Sequence, residues 1–137
     1  MKSKISKIII FLFVSIFYSL DAESIDQFNF DVPEIEILEN GNLFVGKGRG
    51  VIDANNNIVI TADKFQYNKN ENILNANGNV KVEDKVQNYL IFAEDITYKK
   101  NLEQIITDKN SKAIYNDGKI ITADKFQYNK NENILNA

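Results

Sequence analysis

Residues 60–76 have the sequence ITADKFQYNKNENILNA. Apolar and polar side chains alternate along it, so that Phe65 and Tyr67 fall on one face of an extended chain. Alternation with period two over a short run indicates a half-buried β-strand. The segment NKNEN at 68–72 favours a turn, because Asn tolerates positive φ. The stretch therefore predicts a strand, a turn and a second strand.

The same alternation continues through the rest of the chain. Apolar pairs of equal parity are Val80 with Val82, Tyr89 with Ile91, and Ile96 with Tyr98. Segments rich in Asn, Asp and Gly separate these runs, as in DANNN at 53–57, NGN at 77–79 and NDG at 116–118. Short alternating runs between such turns predict an all-β antiparallel fold, with no helix after residue 22.

A repeat of about thirty residues underlies this pattern. ADKFQY at 62–67 is followed by AEDITY at 93–98 and by ADKFQY at 123–128, with spacings of 31 and 30 residues. A worn copy, VPEIEI, occupies 32–37, and in the same register Gly48 falls opposite Gly78. A fixed period of this length indicates stacked supersecondary units, each of which buries its apolar face against its neighbours.

The opening stretch recurs letter for letter at 121–137, where the sequence ends. Packing does not require such identity, because cores accept many substitutions of similar volume. We interpret it as a recent duplication without added functional weight. The first copy continues into NGNVKVED at 77–84, the strand that completes the unit. We therefore expect the natural protein to be longer and to resume with a similar segment.

Composition excludes several classes of function. The chain has 137 residues, a net charge of −3, no Cys and no His. Disulfides, thiolate nucleophiles, imidazole bases and the usual zinc sites are therefore excluded. The body of the chain has no basic cluster, which argues against nucleic acid as a partner. Asp63, Glu94 and Asp124 share one repeat position, and we expect them on a solvated outer face. We predict no cofactor, no metal site and no enzymatic activity.

The N-terminus has the features of a secretory signal peptide. Three lysines precede a thirteen-residue apolar run at 8–20, which spans about 20 Å as a helix and so is shorter than a bilayer core of roughly 30 Å. We predict a signal peptide at 1–22, cleaved after Ala22, and a single mature domain at 23–137. An uncleaved anchor is the alternative, because Leu20 occupies a position where a small residue is preferred.

The segment ADKFQYNKNENILNANGNV at 62–80 resembles the repeat of the OstA-like lipopolysaccharide-transport family. That family includes the bridge protein LptA and the N-terminal domain of LptD. The resemblance covers about residues 30–137. EIEILENGNLFVGKGRGVI at 34–52 and NGNVKVED at 77–84 are most similar to an LptD N-terminus.

The resemblance implies an open antiparallel β-jelly roll whose two curved sheets form a V-shaped trough for lipid acyl chains. It implies a location in the periplasm in association with the outer membrane. The expected partners are lipopolysaccharide, other OstA-like domains joined by edge-strand β-pairing, and the outer-membrane assembly machinery. The candidates for the lipid-binding inner face are Ile60, Phe65, Tyr67, Ile73, Val80, Val82, Ile91, Ile96, Tyr98, Ile121, Phe126 and Tyr128.

Two other functions fit the same residues. One is a secreted structural or adhesive β-repeat protein with a solid core and no lipid ligand. The other, an enzyme on a β-helix scaffold, lacks any acid–base cluster. A transport trough is expected to leave an apolar groove of a few hundred Å² open, roughly the scale of functional surface patches, whereas an adhesin closes it. We also expect residues 28–38 to form an edge strand that pairs with a partner. Pro33 has no backbone N–H group to donate to a neighbouring strand, which is typical of edge strands.

Overall fold

The computed structural model describes residues 28–115 and 118–137, so the predicted signal peptide lies outside the described chain. Those residues form eleven β-strands, and within the same ranges the helical segments are two single 3-10 turns, Glu39–Gly41 and Lys100–Leu102. The strands are β1 (Asn29–Asp31), β2 (Glu34–Leu38), β3 (Leu43–Asp53), β4 (Ile58–Asn68), β5 (Ile73–Asp84), β6 (Tyr89–Lys99), β7 (Gln104–Asp108), β8 (Ser111–Tyr115), β9 (Lys119–Ala123), β10 (Gln127–Asn129) and β11 (Ile134–Asn136). The predicted all-β antiparallel fold is confirmed.

Consecutive long strands pair as an antiparallel meander from β3 to β6. The meander then divides along β6. The first part of β6 pairs with β8, which in turn pairs with β9. The second part of β6 pairs with β7, which is followed by β10 and β11. The strands after β6 are therefore added to the sheet in two separate places, one beside each end of β6.

Each long ladder has a one-residue shift of register near its middle. The shifts lie between Lys47 and Gly50 in β3–β4, between Thr61 and Lys64 in β4–β5, and between residues 77 and 80 in β5–β6. A β-bulge of this kind bends the strand and increases its twist. Because the shifts are adjacent across the sheet, they form one line of bends that divides it into two half-sheets.

The first half-sheet contains β2, the start of β3, the end of β4, the start of β5, the end of β6, β7, β10 and β11. The second contains β1, the end of β3, the start of β4, the end of β5, the start of β6, β8 and β9. The inner face of each half-sheet is the one that packs against the other half-sheet. Their buried apolar side chains belong to a single cluster, so one core lies between them.

The bend is visible in β4, where the buried positions change from even-numbered to odd-numbered residues. In β4, Ile60 and Ala62 are buried, whereas the next buried residue is Phe65. Asp63 and Lys64 are consecutive residues that both lie outside the core. The register shift, whose additional residue lies in β3 and in β5 on either side of β4, lets both ends of β4 direct apolar side chains into the same core, although the ends belong to different half-sheets.

The thirty-residue period places a residue with positive φ at each of these bends. Gly48 and Gly78 have φ of +86° and +80°, and Lys109 at the next repeat position has φ of +62°. A Cβ on Gly78 would lie 2.8 Å from an oxygen of Asp63, and a Cβ on Gly48 would lie 3.2 Å from the ring of Pro33. Each of these two glycines therefore packs closely on the residue fifteen positions earlier, and only glycine meets both requirements without strain.

Among the described residues, both edges of the sheet are open. β2 and β1 pair there only with β3, which makes the stretch from 29 to 38 the N-terminal edge, as the sequence predicted. All five residues of β2 are exposed. β9 and β11 form the opposite edges of the second and first half-sheets. Pairing of these edges with a partner stays a prediction.

Replacing Gly78 with Ala should cost stability through both the left-handed φ and the contact with Asp63. Gly41 is the matched control, because it has φ of +91° but no atom within 4 Å of an added Cβ. We expect Gly41→Ala to lower the free energy of unfolding by about 1 kcal/mol and Gly78→Ala to lower it by about 2–3 kcal/mol. Urea denaturation of both variants measures the difference. Equal losses would show that the Asp63 contact adds nothing to the bend.

Candidate functional site

The structure places most of the predicted inner-face residues in one core. Ten of the twelve candidates are buried there, namely Ile60, Phe65, Tyr67, Val80, Val82, Ile91, Ile96, Tyr98, Phe126 and Tyr128. Ile121 is partly buried and packs against the same cluster. These eleven residues come from β4, β5, β6, β9 and β10, and from the segment that precedes β10. Whether they contact lipid stays a prediction.

Ile73 is the exception. It lies at the start of β5, where Leu74 is fully buried and Ile73 is only partly buried on the opposite face. The alternation in β5 runs through Leu74, Ala76 and Val80, so Ile73 falls in the other parity. The assignment of Ile73 to the inner face was therefore wrong. Two adjacent apolar residues at a strand start leave the parity undecided until the following positions are considered.

Several core residues were not among the candidates. Ile52, Ile58, Leu74 and Ile105 are all fully buried. For Ile58 the signal was present, because it shares parity with Ile60 and Ala62. Phe28 is also buried at 4% exposure, and it precedes the first strand. Its position follows from tertiary packing against rings of the opposite half-sheet, which alternation within one strand does not report.

The space between the half-sheets is filled by side chains. Phe65, Phe126, Tyr98 and Tyr128 are each no more than 1% exposed. An apolar groove open to solvent was expected for a transport trough, and the buried inner face contradicts that expectation for the described residues. The reason is the size of the aromatic side chains, which reach across the gap and pack against the other half-sheet.

Two surface depressions of the described chain are mainly polar. One of about 530 Å³ is lined by residues 110–112 and 122–124, and another of the same volume lies over the outer face of the first half-sheet. The described residues contain no group of three or more acidic, His or Cys side chains placed to bind a metal ion. Within the described ranges, no helix is long and apolar enough to cross a bilayer.

The repeated acidic position lies at the line of bends. Asp63 accepts hydrogen bonds from Arg49 at 2.8 Å and from the side chain of Asn79 at 2.9 Å. These bonds, that of Arg49 first, hold the pKa of the Asp63 carboxyl below its usual range. Glu94 accepts an equivalent bond from Asn110 at 2.9 Å. These contacts tie neighbouring strands together at the bend, which is a structural role on the outer face.

The inner face ends in a row of tyrosines. Tyr67, Tyr98 and Tyr128 occupy the same repeat position, near the ends of β4, β6 and β10. All three belong to the first half-sheet, on the side away from the line of bends. We call the strand ends farthest from the bends the lip. At the lip each tyrosine meets residues of the second half-sheet or of its turns.

Tyr128 contacts the second half-sheet through both its hydroxyl and its ring. The hydroxyl donates a 2.8 Å hydrogen bond to Asp84 at the end of β5, and the ring lies 5.0 Å from that of Tyr89. The other carboxylate oxygen of Asp84 accepts the backbone N–H groups of Val86 and Gln87. Asp84 is 1% exposed, so these bonds satisfy a buried carboxylate.

Tyr98 joins a second polar group at the lip. Its hydroxyl donates to Glu103 at 2.5 Å and accepts from the side chain of Asn56 at 2.7 Å. Asn56 lies in the turn between β3 and β4, at the end of the second half-sheet, and it also donates to Glu103. Lys100 completes the group through a 2.6 Å ion pair with Glu103. Burial, aided by the bond to Glu103, raises the pKa of the Tyr98 hydroxyl far above its usual range.

Tyr67 crosses the lip through its ring alone. The ring packs 4.8 Å from Phe28 and 6.1 Å from Phe30, both in or just before β1 of the second half-sheet. Its hydroxyl donates a 3.0 Å bond to Asn72, in the turn that follows β4 in the same half-sheet. The three tyrosines therefore share a position and differ in the partners of their hydroxyl groups.

The two identical copies occupy different environments. In the first copy, one continuous strand, β4, crosses the line of bends. In the second, β9 and β10 are separate, and the gap is bridged by Thr107, whose hydroxyl accepts the N–H of Phe126 at 2.7 Å. Leu74 of the first copy is fully buried, whereas its counterpart Leu135 is only partly buried.

No family model matches the sequence, and no curated protein matches it. The fold is similar to a crystal structure of LptH from Pseudomonas aeruginosa, the LptA homologous periplasmic component of the conserved lipopolysaccharide transport device. The TM-score is 0.72, with 17% sequence identity and coverage of 80% of each chain. The likeness confirms the predicted fold class of an open, LptA-like antiparallel jelly roll. The closer resemblance to LptD stays a prediction.

The two copies provide a matched pair of substitutions. We expect Leu74→Ala to lower the free energy of unfolding by about 3 kcal/mol, since it removes a fully buried side chain. Leu135→Ala, within the same seventeen residues, should cost about 1 kcal/mol or less because Leu135 retains solvent contact. Chemical denaturation of both variants tests the assignment. A cost for Leu135→Ala as large as that for Leu74→Ala would mean that the second copy is covered in solution.

Proposed function

We propose that this protein is a non-enzymatic lipid-transport module of the periplasm. It shields the acyl chains of lipopolysaccharide between its half-sheets and passes them toward the outer membrane. The observation that carries the proposal is the continuous apolar inner face, which crosses both half-sheets in a fold similar to that of LptH. The protein supplies a surface that excludes water, and no chemical step is required.

The inner face has the composition that an acyl chain needs. Among the described residues, its buried side chains are apolar except for four, Asn72, Asp84, Thr107 and Ser111, and each of the four has a hydrogen-bond partner. Burying an acyl chain is favourable by about 0.8 kcal/mol per CH₂ group. The outer positions of the same strands, such as Lys64 and Gln66, are exposed and polar. An acyl chain therefore gains most by lying between the half-sheets.

The filled core is compatible with this role. Within the described chain the half-sheets are joined covalently along the line of bends, while the edges formed by β1, β2, β9 and β11 stay open. If the half-sheets separate around a lipid, inner side chains exchange contacts with one another for contacts with acyl chains. Both environments are apolar, so the hydrophobic free energy of burial is largely retained. Lipid binding then costs mainly the contacts that cross the lip.

The open edges suit the exchange of lipid between domains. β2 exposes Ile35, Ile37 and Leu38 together with one side of its backbone. An edge of this kind accepts a strand from another sheet. A second OstA-like domain joined there would continue the inner face from one domain to the next. Such a partner would belong to the outer-membrane assembly machinery and would receive lipid from this protein.

The second candidate function is a structural or adhesive β-repeat without a lipid ligand. The filled space between the half-sheets favours it, because a permanently closed core has no room for an acyl chain. The two functions differ in what the inner side chains touch in the presence of lipopolysaccharide, and this difference can be measured.

Photocrosslinking tests the lipid assignment. A benzophenone amino acid at Phe65 or Ile96 should crosslink to lipopolysaccharide, since both side chains point inward. The same probe at Lys64 or Gln66, in the same strand as Phe65, is the outward control and should react at background level. Equal yields at inward and outward positions would contradict the inner-face assignment. No lipid crosslink at any position, with the fold intact, would favour the structural or adhesive function.

Crosslinking also tests the edge. A probe at Ile37, which is 58% exposed on β2, should capture an OstA-like partner domain. Val86 is the matched control, since it is 56% exposed but lies in the turn between β5 and β6, away from any sheet edge. Capture from Val86, or only from a probe at Ile134 on β11, would show that the N-terminal edge is not the one that binds the partner.

A further inference from the structure

We propose that Tyr67, Tyr98 and Tyr128 form a clasp that holds the lip closed, and that lipid enters by releasing it. The inference rests on the proposed function for its ligand, but the clasp itself is a property of this chain. The feature that leads to it is the contrast between the two sides of the core. Along the line of bends the half-sheets are held by continuous strands, whereas at the lip they are held by side chains.

Most of the ring and hydroxyl contacts that cross the lip involve these tyrosines, beside the stacked pair of Phe30 with Phe44 and the hydrogen bond from Asn56 to Glu103. Tyr128 reaches Asp84 and Tyr89, and Tyr98 reaches Asn56 and the ring of Phe28. Tyr67 reaches the rings of Phe28 and Phe30. Each of these partners belongs to the second half-sheet, to one of its turns, or to the residue that precedes β1.

The spacing of the tyrosines follows the repeat. They are 31 and 30 residues apart, at the last position of the ADKFQY, AEDITY and ADKFQY segments. The repeat therefore places one tyrosine at the lip in each of these three units, whereas the worn copy at 32–37 has Ile37 at that position. An aliphatic residue would cover the inner face equally well, but only a tyrosine adds a hydroxyl that can bond a polar group at the rim while its ring stays buried.

The contact between Tyr128 and Asp84 gives the clasp its polar character. In the closed state the Asp84 carboxylate is buried, and one of its oxygens depends on the Tyr128 hydroxyl. Without that hydroxyl, one oxygen of Asp84 would be buried in the closed state without this hydrogen bond. The lost bond raises the free energy of the closed state. Opening the lip exposes Asp84 to water and removes the penalty. Loss of the hydroxyl therefore shifts the equilibrium toward the open state.

The chain contains its own matched control. The hydroxyls of Tyr98 and Tyr128 bond groups of the opposite half-sheet, whereas that of Tyr67 bonds Asn72 of its own half-sheet. Replacement of each Tyr with Phe keeps the ring and removes one hydroxyl. Y98F combined with Y128F should open the lip, while Y67F should leave it closed. If the hydroxyl groups only stabilised the fold and did not hold the lip closed, removing any of the three would have the same effect on the lip.

The lip can be measured by a pair of spin labels. The chain has no native Cys, so labels at K85C and N131C are specific. Lys85 follows Asp84 in the turn at the end of the second half-sheet, and Asn131 follows β10 in the turn at the end of the first. Pulsed dipolar spectroscopy of the labelled protein then reports the distance across the lip. Thermal unfolding of each variant verifies that it is folded.

We expect a single short distance in the otherwise unchanged protein and in Y67F. In Y98F/Y128F we expect a second, longer population, with the ratio of open to closed raised roughly fivefold for each hydroxyl removed. Uptake of the apolar dye N-phenyl-1-naphthylamine should be faster in that variant by a similar factor. If the distance and the uptake rate in Y98F/Y128F equal those of Y67F, the clasp is disproved.

A cleavable crosslinker separates the clasp from the proposed ligand. Joining K85C to N131C with a bismaleimide that contains a disulfide should abolish lipopolysaccharide capture, and reduction should restore it. If capture is unchanged by the crosslink, lipid enters elsewhere and the clasp is disproved while the proposed function stands. If the distances shift as expected but no variant captures lipopolysaccharide, the clasp stands and the proposed function fails.

Discussion

The structure depends on the one-residue register shift that recurs in each long ladder. Without it, the strands from β3 to β6 would continue straight, and their buried residues would lie on one face of a single sheet. With it, both ends of each strand face a common core. The shift between Thr61 and Lys64 and that between residues 77 and 80 lie side by side, so one line of bends serves the whole meander. Glycine at 48 and 78 makes the bend possible, because the backbone there has positive φ and lies close to Pro33 and to Asp63, respectively.

The bend also determines where the half-sheets can separate. On the side of the bends each half-sheet continues covalently into the other, whereas at the lip the contacts that join them among the described residues are made by side chains. A ligand that enters between the half-sheets must therefore do so from the lip or from an open edge. The filled core and the transport function are compatible only if the lip contacts are weak enough to exchange. Hydrogen bonds of about 1 kcal/mol each meet that condition.

Identical sequence does not impose identical contacts in this chain. Tyr67 and Tyr128 occupy the same place in the two copies, yet the hydroxyl of Tyr67 bonds the following turn and that of Tyr128 bonds Asp84, 44 residues away. The difference arises because the first copy lies in the middle of the meander and the second at its edge. Position in the sheet, rather than local sequence, selects the partner.

The sequence predicted the strands well because alternation is a local property. Ala62 and Phe65 are an odd number of residues apart, and this change of parity is already the trace of the bend. Ile73 was misplaced because Leu74 beside it is equally apolar. The filling of the core could not be predicted, since it depends on the distance between half-sheets rather than on any strand. Nor could the pairing of Asp84 with Tyr128, since each residue lies in an ordinary strand and the contact follows from the bend between them.

We propose that acyl chains lie between the half-sheets. Methyl-labelled Ile in a complex with lipid A reports on it most directly, through nuclear Overhauser effects between acyl protons and individual methyl groups. Ile60, Ile91 and Ile105 are buried on the inner face, while Ile35, Ile37 and Ile120 are exposed. We expect contacts from the acyl chains to the methyl groups of the first three residues and none to those of the last three. Contacts confined to the exposed methyl groups, with the inner ones unchanged, would contradict it.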